Sequence, residues 1–171
     1  MTNLAVTSLA ISGSNIFAGT GYGGVYLSIN NGDSWTEVNN GLPSKYVNEI
    51  AISGSNIFAG IRDYGVFLST NNGSSWTEVN NGLPTYLYNG RLCIYVPTIT
   101  ISGSNIFAGT NKGVFLSTNN GNSWTEVNDG LLFEGLMVTS ITISGSNIFA
   151  GTDGGGIFLS TNNGNSWIAA N

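Results

Sequence analysis

Apolar residues along this chain come in short bursts separated by glycine, asparagine and serine. In the first forty residues or so the bursts are "VTSLAIS", "NIFAGT", "GVYLSI" and "SWTEVN", joined by "GSN", a glycine-rich stretch and "NNGD". Val, Ile, Phe, Tyr, Trp and Thr suit a pleated, half-buried surface, whereas Gly, Asn and Ser suit the turns between strands. The pattern predicts four short strands per unit and no long helix. Ile16, Phe17 and Ala18 are consecutive apolar residues, and so are Val25, Tyr26 and Leu27. Such strands need cover on both faces, whereas a sheet with one wet face would alternate more strictly.

The same burst pattern occurs four times. "ISGSNIFAG" begins at Ile11, Ile52, Ile101 and Ile143, and a tryptophan follows later in each copy, at Trp35, Trp76, Trp124 and Trp167. One unit is therefore roughly 40 residues long, the length of a four-stranded propeller blade. Stacking blades face to face covers both sides of each sheet. The expected fold is an all-β propeller of four-stranded antiparallel blades, four per chain. It forms a single domain over 1–171, with repeats at approximately 4–41, 45–82, 94–130 and 136–171.

"SINNGDSW" at 28–35, "STNNGSSW" at 69–76 and "STNNGNSW" at 117–124 and 160–167 share the form Ser-x-Asn-x-Gly-x-Ser-Trp. This form resembles the Asp-box, or BNR repeat, of sialidases and many other propellers. The resemblance covers all four units and implies a hairpin between the third and fourth strands of each blade. It departs from the family at one position, where Asn30, Asn71, Asn119 and Asn162 replace the usual Asp. An Asn oxygen still accepts backbone N–H bonds across a turn. Gly32, Gly73, Gly121 and Gly164 supply a positive φ, and the tryptophans are expected to drop into the blade packing. The boxes read as structural staples. An extracellular or periplasmic setting is implied by the resemblance alone; the N-terminus, "MTNLAVTSLAISGSN", does not read as a signal peptide.

Sialidase chemistry does not come with the resemblance. Those enzymes need several arginines on the substrate carboxylate, a Tyr–Glu nucleophile pair and an acid/base Asp; this chain has only Arg62 and Arg91. Histidine is absent, which removes the commonest general base and nitrogen ligand, and no metal or cofactor is expected. Cys93 is the single cysteine, with no histidine to activate it, and reads as a buried thiol. Glu49, Asp63, Glu134 and Asp153 are the carboxylates that could pair for glycoside hydrolysis. "GTGYGG" at 19–24 precedes a strand instead of a helix, so it does not read as a phosphate loop.

Composition excludes further classes. Four Lys+Arg against nine Asp+Glu, in a chain with 8% charged residues, cannot build the basic stripe that nucleic acid requires. No apolar run reaches membrane-spanning length.

The four copies differ from one another in only some segments. The "SGSN" joints and the Asn-Gly hairpins are nearly constant. The second-to-third loops ("GTGYGGV", "GIRDYGV", "GTNKGV", "GTDGGGI") and the connections between units vary. In an up-and-down blade these variable segments emerge at one end, so one face is uniform and the other individual. All four cations, Lys45, Arg62, Arg91 and Lys112, fall in variable segments, as do Tyr22, Tyr46, Tyr64, Tyr86, Tyr88 and Phe133. The insertion at 84–97 is unusually apolar for an idle loop. Loops on a rigid scaffold commonly carry recognition, which makes Arg62, Tyr64, Tyr86, Tyr88, Arg91 and Lys112 the candidate ligand-binding residues.

The expected function is a non-catalytic, lectin-like module binding a glycan or a protein. The alternatives are a self-assembling scaffold without a ligand and, third, a glycoside hydrolase-like enzyme. Four blades would leave apolar end faces bare, so two copies are expected to close an eight-bladed ring as a homodimer; the rivals are a monomeric four-bladed ring and a fragment cut from a longer propeller. The replacement of Glu37, Glu78 and Glu126 by Ala169 in the last unit suits an end buried against another chain.

Overall fold

The computed structural model describes residues 4–131 and 137–170, so Phe133 and Glu134 lie outside the described residues. Four antiparallel sheets follow one another, each in the order of the sequence. The first contains β1 (Val6–Ser12), β2 (Asn15–Thr20), β3 (Gly24–Ser28) and β4 (Thr36–Glu37). The second contains β5 (Val47–Ser53), β6 (Asn56–Ile61), β7 (Gly65–Ser69) and β8 (Thr77–Glu78). A two-stranded hairpin, β9 (Tyr86–Tyr88) and β10 (Arg91–Cys93), precedes the third sheet. That sheet is built from β11 (Thr98–Ser102), β12 (Asn105–Thr110), β13 (Gly113–Ser117) and β14 (Thr125–Glu126). The fourth has β15 (Val138–Ser144), β16 (Asn147–Thr152), β17 (Gly156–Ser160) and β18 (Ile168–Ala169). No helix occurs among the described residues.

The outermost strand of each sheet is shorter than "SWTEVN" suggests. Only Thr36 and Glu37 pair with β3 as a ladder, extended by the Val38 N–H donating to the Val25 carbonyl at 2.9 Å. The tryptophan that opens the segment is engaged elsewhere. The Trp76 N–H donates to the Asn40 carbonyl of the preceding blade at 2.9 Å, and its indole Nε1 donates to the Val38 carbonyl at 2.8 Å. Trp124 repeats this against Asn81 and Val79, and Trp167 against Asp129 and Val127. Each of these three tryptophans therefore fastens its blade to the one before it.

The core lies between blades. Phe17 and Val25 of the first blade pack with Ile50, Ile57, Ala59, Phe67 and Trp76 of the second. Equivalent clusters, centred on Phe58 and on Phe107, join the second blade to the third and the third to the fourth. Both faces of an inner strand are used: Phe58 points to the following blade, while its neighbours Ile57 and Ala59 point to the preceding one. This is why the consecutive apolar triplets do not alternate with polar residues.

One expectation needs correction. Trp35 is only half-buried while Trp76, Trp124 and Trp167 are buried, because tryptophan packs into the junction with a preceding blade and the first blade has none. Its indole instead donates to the Gly32 carbonyl of its own hairpin. The four blades leave the ring open, as expected: among the described residues the innermost strands pack in the succession β1, β5, β11, β15 without a return from the last to the first.

The Asn-Gly hairpins hold the uniform end together. The Asn30 Oδ1 accepts the Ser34 N–H at 3.0 Å, and Ser28 Oγ accepts the Gly32 N–H at 2.8 Å. The other three copies repeat both bonds within 0.1 Å. Asn also does what Asp could not, since its Nδ2 donates to the Ser34 hydroxyl at 2.9 Å. The turn needs two successive left-handed residues, Asn31 at φ 55° and Gly32 at φ 91° in the first copy. Asn tolerates that region better than most side chains.

Candidate functional site

The variable loops and the connections between blades share one end of the sheets. The Gly24 N–H donates to the Lys45 carbonyl at 2.8 Å, Arg62 N–H to Tyr46 at 3.0 Å and Gly65 N–H to Ile94 at 3.1 Å. A recurrent amide clamps this end. Asn39 Oδ1 accepts the Val25 N–H at 2.7 Å while its Nδ2 donates to the Gly23 carbonyl at 3.0 Å; Asn80 and Asn128 do the same in the next two blades. The loops that differ in side chains are thus mounted on a common backbone frame.

The insertion adds structure that the other units lack. Its turn residues, Asn89 and Gly90, have φ of 49° and 77°, as a tight two-residue hairpin loop requires. The register pairs Tyr88 with Arg91, Leu87 with Leu92 and Tyr86 with Cys93. Period-two alternation therefore puts Tyr86, Tyr88, Arg91 and Cys93 on one face and Leu87 and Leu92 on the other. Leu87 and Leu92 are exposed, and Cys93 is buried.

On the tyrosine face, a cavity of about 380 Å³ is lined by Arg62, Asp63, Tyr86, Tyr88, Tyr95, Asn111 and Met137. These residues come from the β6–β7 loop, the insertion, the β12–β13 loop and the segment before β15. The Tyr86 hydroxyl donates to Asp63 Oδ1 at 2.7 Å. Burial, together with that bond, pushes the Tyr86 phenol well above its ordinary range, so it is a neutral hydrogen-bond donor at physiological pH. Asp63 itself holds a positive φ of 66°, a conformation that only a few non-glycine residues adopt readily. The Asn111 Oδ1 is buried and accepts no hydrogen bond from the protein. A buried acceptor left in this state calls for a donor.

The candidate residues divide into two groups. Arg62, Tyr86 and Tyr88 line the cavity. Arg62 also stacks on Tyr46, with Cζ 4.7 Å from the ring centroid, and Tyr46 meets Tyr22 edge-on at 5.4 Å. Tyr64 and Arg91 do not line it; they pair with each other, Arg91 Cζ lying 4.2 Å from the Tyr64 ring centroid, beside the bridge from Tyr64 to Ile94. Lys112 follows Asn111 but is also outside the lining, and its carbonyl accepts from Asn128. Tyr95, Asn111 and Met137 were not legible as site residues. The Asn-Gly pair at 89–90 was the available sign that the insertion folds back as a hairpin and presents alternate residues to one side.

The other carboxylates do not join Asp63. Glu49 accepts from the Ser8 hydroxyl at the first blade junction, and Asp153 is exposed on the β16–β17 loop. Among the described residues no three His, Cys, Asp or Glu side chains cluster as a metal site would need. A second depression, of about 510 Å³, is lined by Glu78, Val79, Asn80, Asn81, Leu83, Thr85, Ile94 and Asn122. Most of that lining belongs to repeated framework segments.

No protein-family model matches the chain, and no curated protein matches its sequence. Solved structures do. An ancestral GH74 enzyme aligns over 98% of this chain and 24% of its own, with a TM-score of 0.77 and 24% identity. The extracellular domain assigned to a hybrid two-component system of B. thetaiotaomicron aligns over 92% of this chain and 21% of its own, with a TM-score of 0.74 and 18% identity. YCF48 from Cyanidioschyzon merolae covers 97% and 56%, with a TM-score of 0.67 and 16% identity. The chain thus spans about a fifth to a quarter of the first two, which include an enzyme. At such identities the likeness extends to the fold: this is an all-β propeller-type chain of four-stranded antiparallel blades.

Proposed function

We propose that the chain is a non-catalytic recognition module that binds a carbohydrate in the cavity on its variable face. One observation carries the reading: three tyrosines, an arginine, a carboxylate and an unpaired amide oxygen converge there from four separate segments. A sugar presents apolar C–H faces and a rim of hydroxyls. Tyrosine rings cover the former, and fixed donors and acceptors such as Arg62, Asp63 and Asn111 match the latter. Tyr64, Arg91 and Lys112 belong to the proposal as supports and rim, the first two holding the insertion against the β6–β7 loop. The hairpins at the opposite end act in this reading as Asp-box staples.

The non-catalytic part is supported by the lining. Glycoside hydrolysis ordinarily uses two carboxylates, whereas the cavity wall contributes Asp63, already engaged by Tyr86. A ligand-free scaffold is the second reading, and a specific observation favours it: the Arg62–Tyr46, Arg91–Tyr64 and Tyr86–Asp63 contacts tie the loops to each other. A glycan array followed by calorimetry separates the two. The expected result is saturable binding by the parent chain, weakened at least about tenfold in Tyr88→Ala and in Arg62→Ala, losses typical of interface anchors. Absence of any glycan ligand, or binding indifferent to both substitutions, would overturn the carbohydrate reading.

A further inference from the structure

The three blade junctions inside the chain provide a template against which its two end faces can be compared. On the leading side of a blade, Ile50, Ile99 and Ile141 are 4–7% exposed against the blade before; their counterpart in the first blade, Leu9, is 63% exposed. Likewise Val6 is 45% exposed where Val47, Val96 and Val138 are fully buried. Ile11 is exposed too. On the trailing side, Phe17, Phe58 and Phe107 are fully buried, yet Phe149 of the last blade is only half-buried.

The last blade also differs in sequence on that side. Thr36, Thr77 and Thr125 are replaced by Ile168, which pairs with Leu159 and is 64% exposed. Leu27, the counterpart of Leu159, packs into the first junction, whereas Thr36, Thr77 and Thr125 stay exposed beside their junctions, so Ile168 adds apolar surface at the rim of the open trailing face. Ala169, which the sequence suggested for an end contact, pairs instead with Phe158 on the face toward the third blade.

Polar groups repeat the comparison. Thr7 Oγ1 donates to the Val47 carbonyl and Asn48 Nδ2 to the Val96 carbonyl, each in the following blade. Thr139, at the same position in the last blade, turns back to the Gly151 carbonyl of its own sheet at 3.2 Å. Gly19, Gly60 and Gly109 are each closed over by the valine that opens the next blade, whereas the three atoms nearest a Cβ at Gly151 all belong to Ser140 of its own blade. At the other end, the Trp35 indole bonds its own hairpin instead of a preceding blade.

We infer that the leading face of the first blade docks on the trailing face of the last blade of a second copy of this chain, and reciprocally, closing an eight-bladed ring about a two-fold axis. The second copy is the occupant that fits because each end displays what the other end's internal counterparts already bind. Val6 would cover Gly151, its carbonyl would receive the Thr139 hydroxyl, and the Trp35 indole would donate to the Ala170 carbonyl. Each of these restates a contact made at the internal junctions. The inference is independent of carbohydrate binding.

The test is the mass of the 171-residue chain in solution, by light scattering and sedimentation velocity at micromolar concentration. Twice the chain mass of 17.9 kDa is expected. A single-chain mass, or open-ended growth with concentration, would overturn the proposal. Leu9→Glu and Phe149→Lys each place a charge on an open end face, at positions whose internal counterparts Ile50 and Phe17 pack together across a junction, so both variants should fold while their dimers weaken at least about 100-fold, as for a charge buried at an interface centre. Mixing the two should restore a dimer of one copy of each, because one junction is then unsubstituted and the other pairs opposite charges. Variants that stay dimeric alone, or a mixture that stays monomeric, would count against it.

Discussion

The two ends of the blades have the same backbone and opposite sequence behaviour. At the uniform end, four hairpins repeat the same Ser-Asn-Gly-Ser bonds to within 0.1 Å in the two backbone contacts that define the turn. At the variable end the amide clamps of Asn39, Asn80 and Asn128 recur, while the side chains above them form two cation–π pairs, a tyrosine–carboxylate bond and a cavity. Turn geometry tolerates few residues where two successive positions are left-handed. A loop already satisfied by its backbone frame leaves its side chains free for contacts of other kinds.

Substitutions should separate the ends by magnitude. The largest loss is expected in the junctions that the uniform end supports: Trp124→Ala should cost roughly 3–5 kcal/mol in chemical denaturation, as other buried aromatic truncations do. Trp35→Ala, half-buried in the single chain, should cost clearly less when measured on monomer. Equal losses would show that tryptophan stabilises its own blade and not the junction.

Next comes the hairpin itself. Asn71→Ala removes the acceptor for the Ser75 N–H and should cost about 1 kcal/mol, whereas Asn71→Asp should retain most of the stability because the carboxylate oxygen can still accept. An Asp variant as unstable as the Ala variant would mean that the amide's donation to Ser75 Oγ is the stronger part.

At the variable end, Tyr88→Ala and Lys112→Ala should each change stability by less than about 0.5 kcal/mol, even as Tyr88→Ala weakens carbohydrate binding. A larger loss from Tyr88→Ala would make the insertion part of the framework.

The smallest effect concerns pH. The Tyr86 phenol is held above its ordinary value by burial and by Asp63, so its stabilising contribution is complete below the unfolded value near 10 and declines as pH rises beyond it. The parent chain should therefore lose more stability above pH ~10 than Tyr86→Phe does; parallel curves for the two would contradict the assignment.

The inner strands, the blade period and the turns were legible along the chain, because each rests on local chemistry: β-branched and aromatic runs, Asn-Gly pairs and apolar triplets that need cover on both faces. The sequence also placed Arg62, Tyr86 and Tyr88 in segments that come together. That Tyr95, Asn111 and Met137 join them emerges from the folded chain, since their meeting depends on the stacking of the second, third and fourth units and on the hairpin at 86–93. The same holds for the tryptophans. Their spacing announces a repeat, but that Trp76 bonds Asn40 and Val38 of the preceding blade, leaving Trp35 without such a partner, follows from how sheets lie against one another. Local patterns set what each segment becomes; the contacts between units, made far apart in the chain, decide which copies of an identical motif are buried and which remain open.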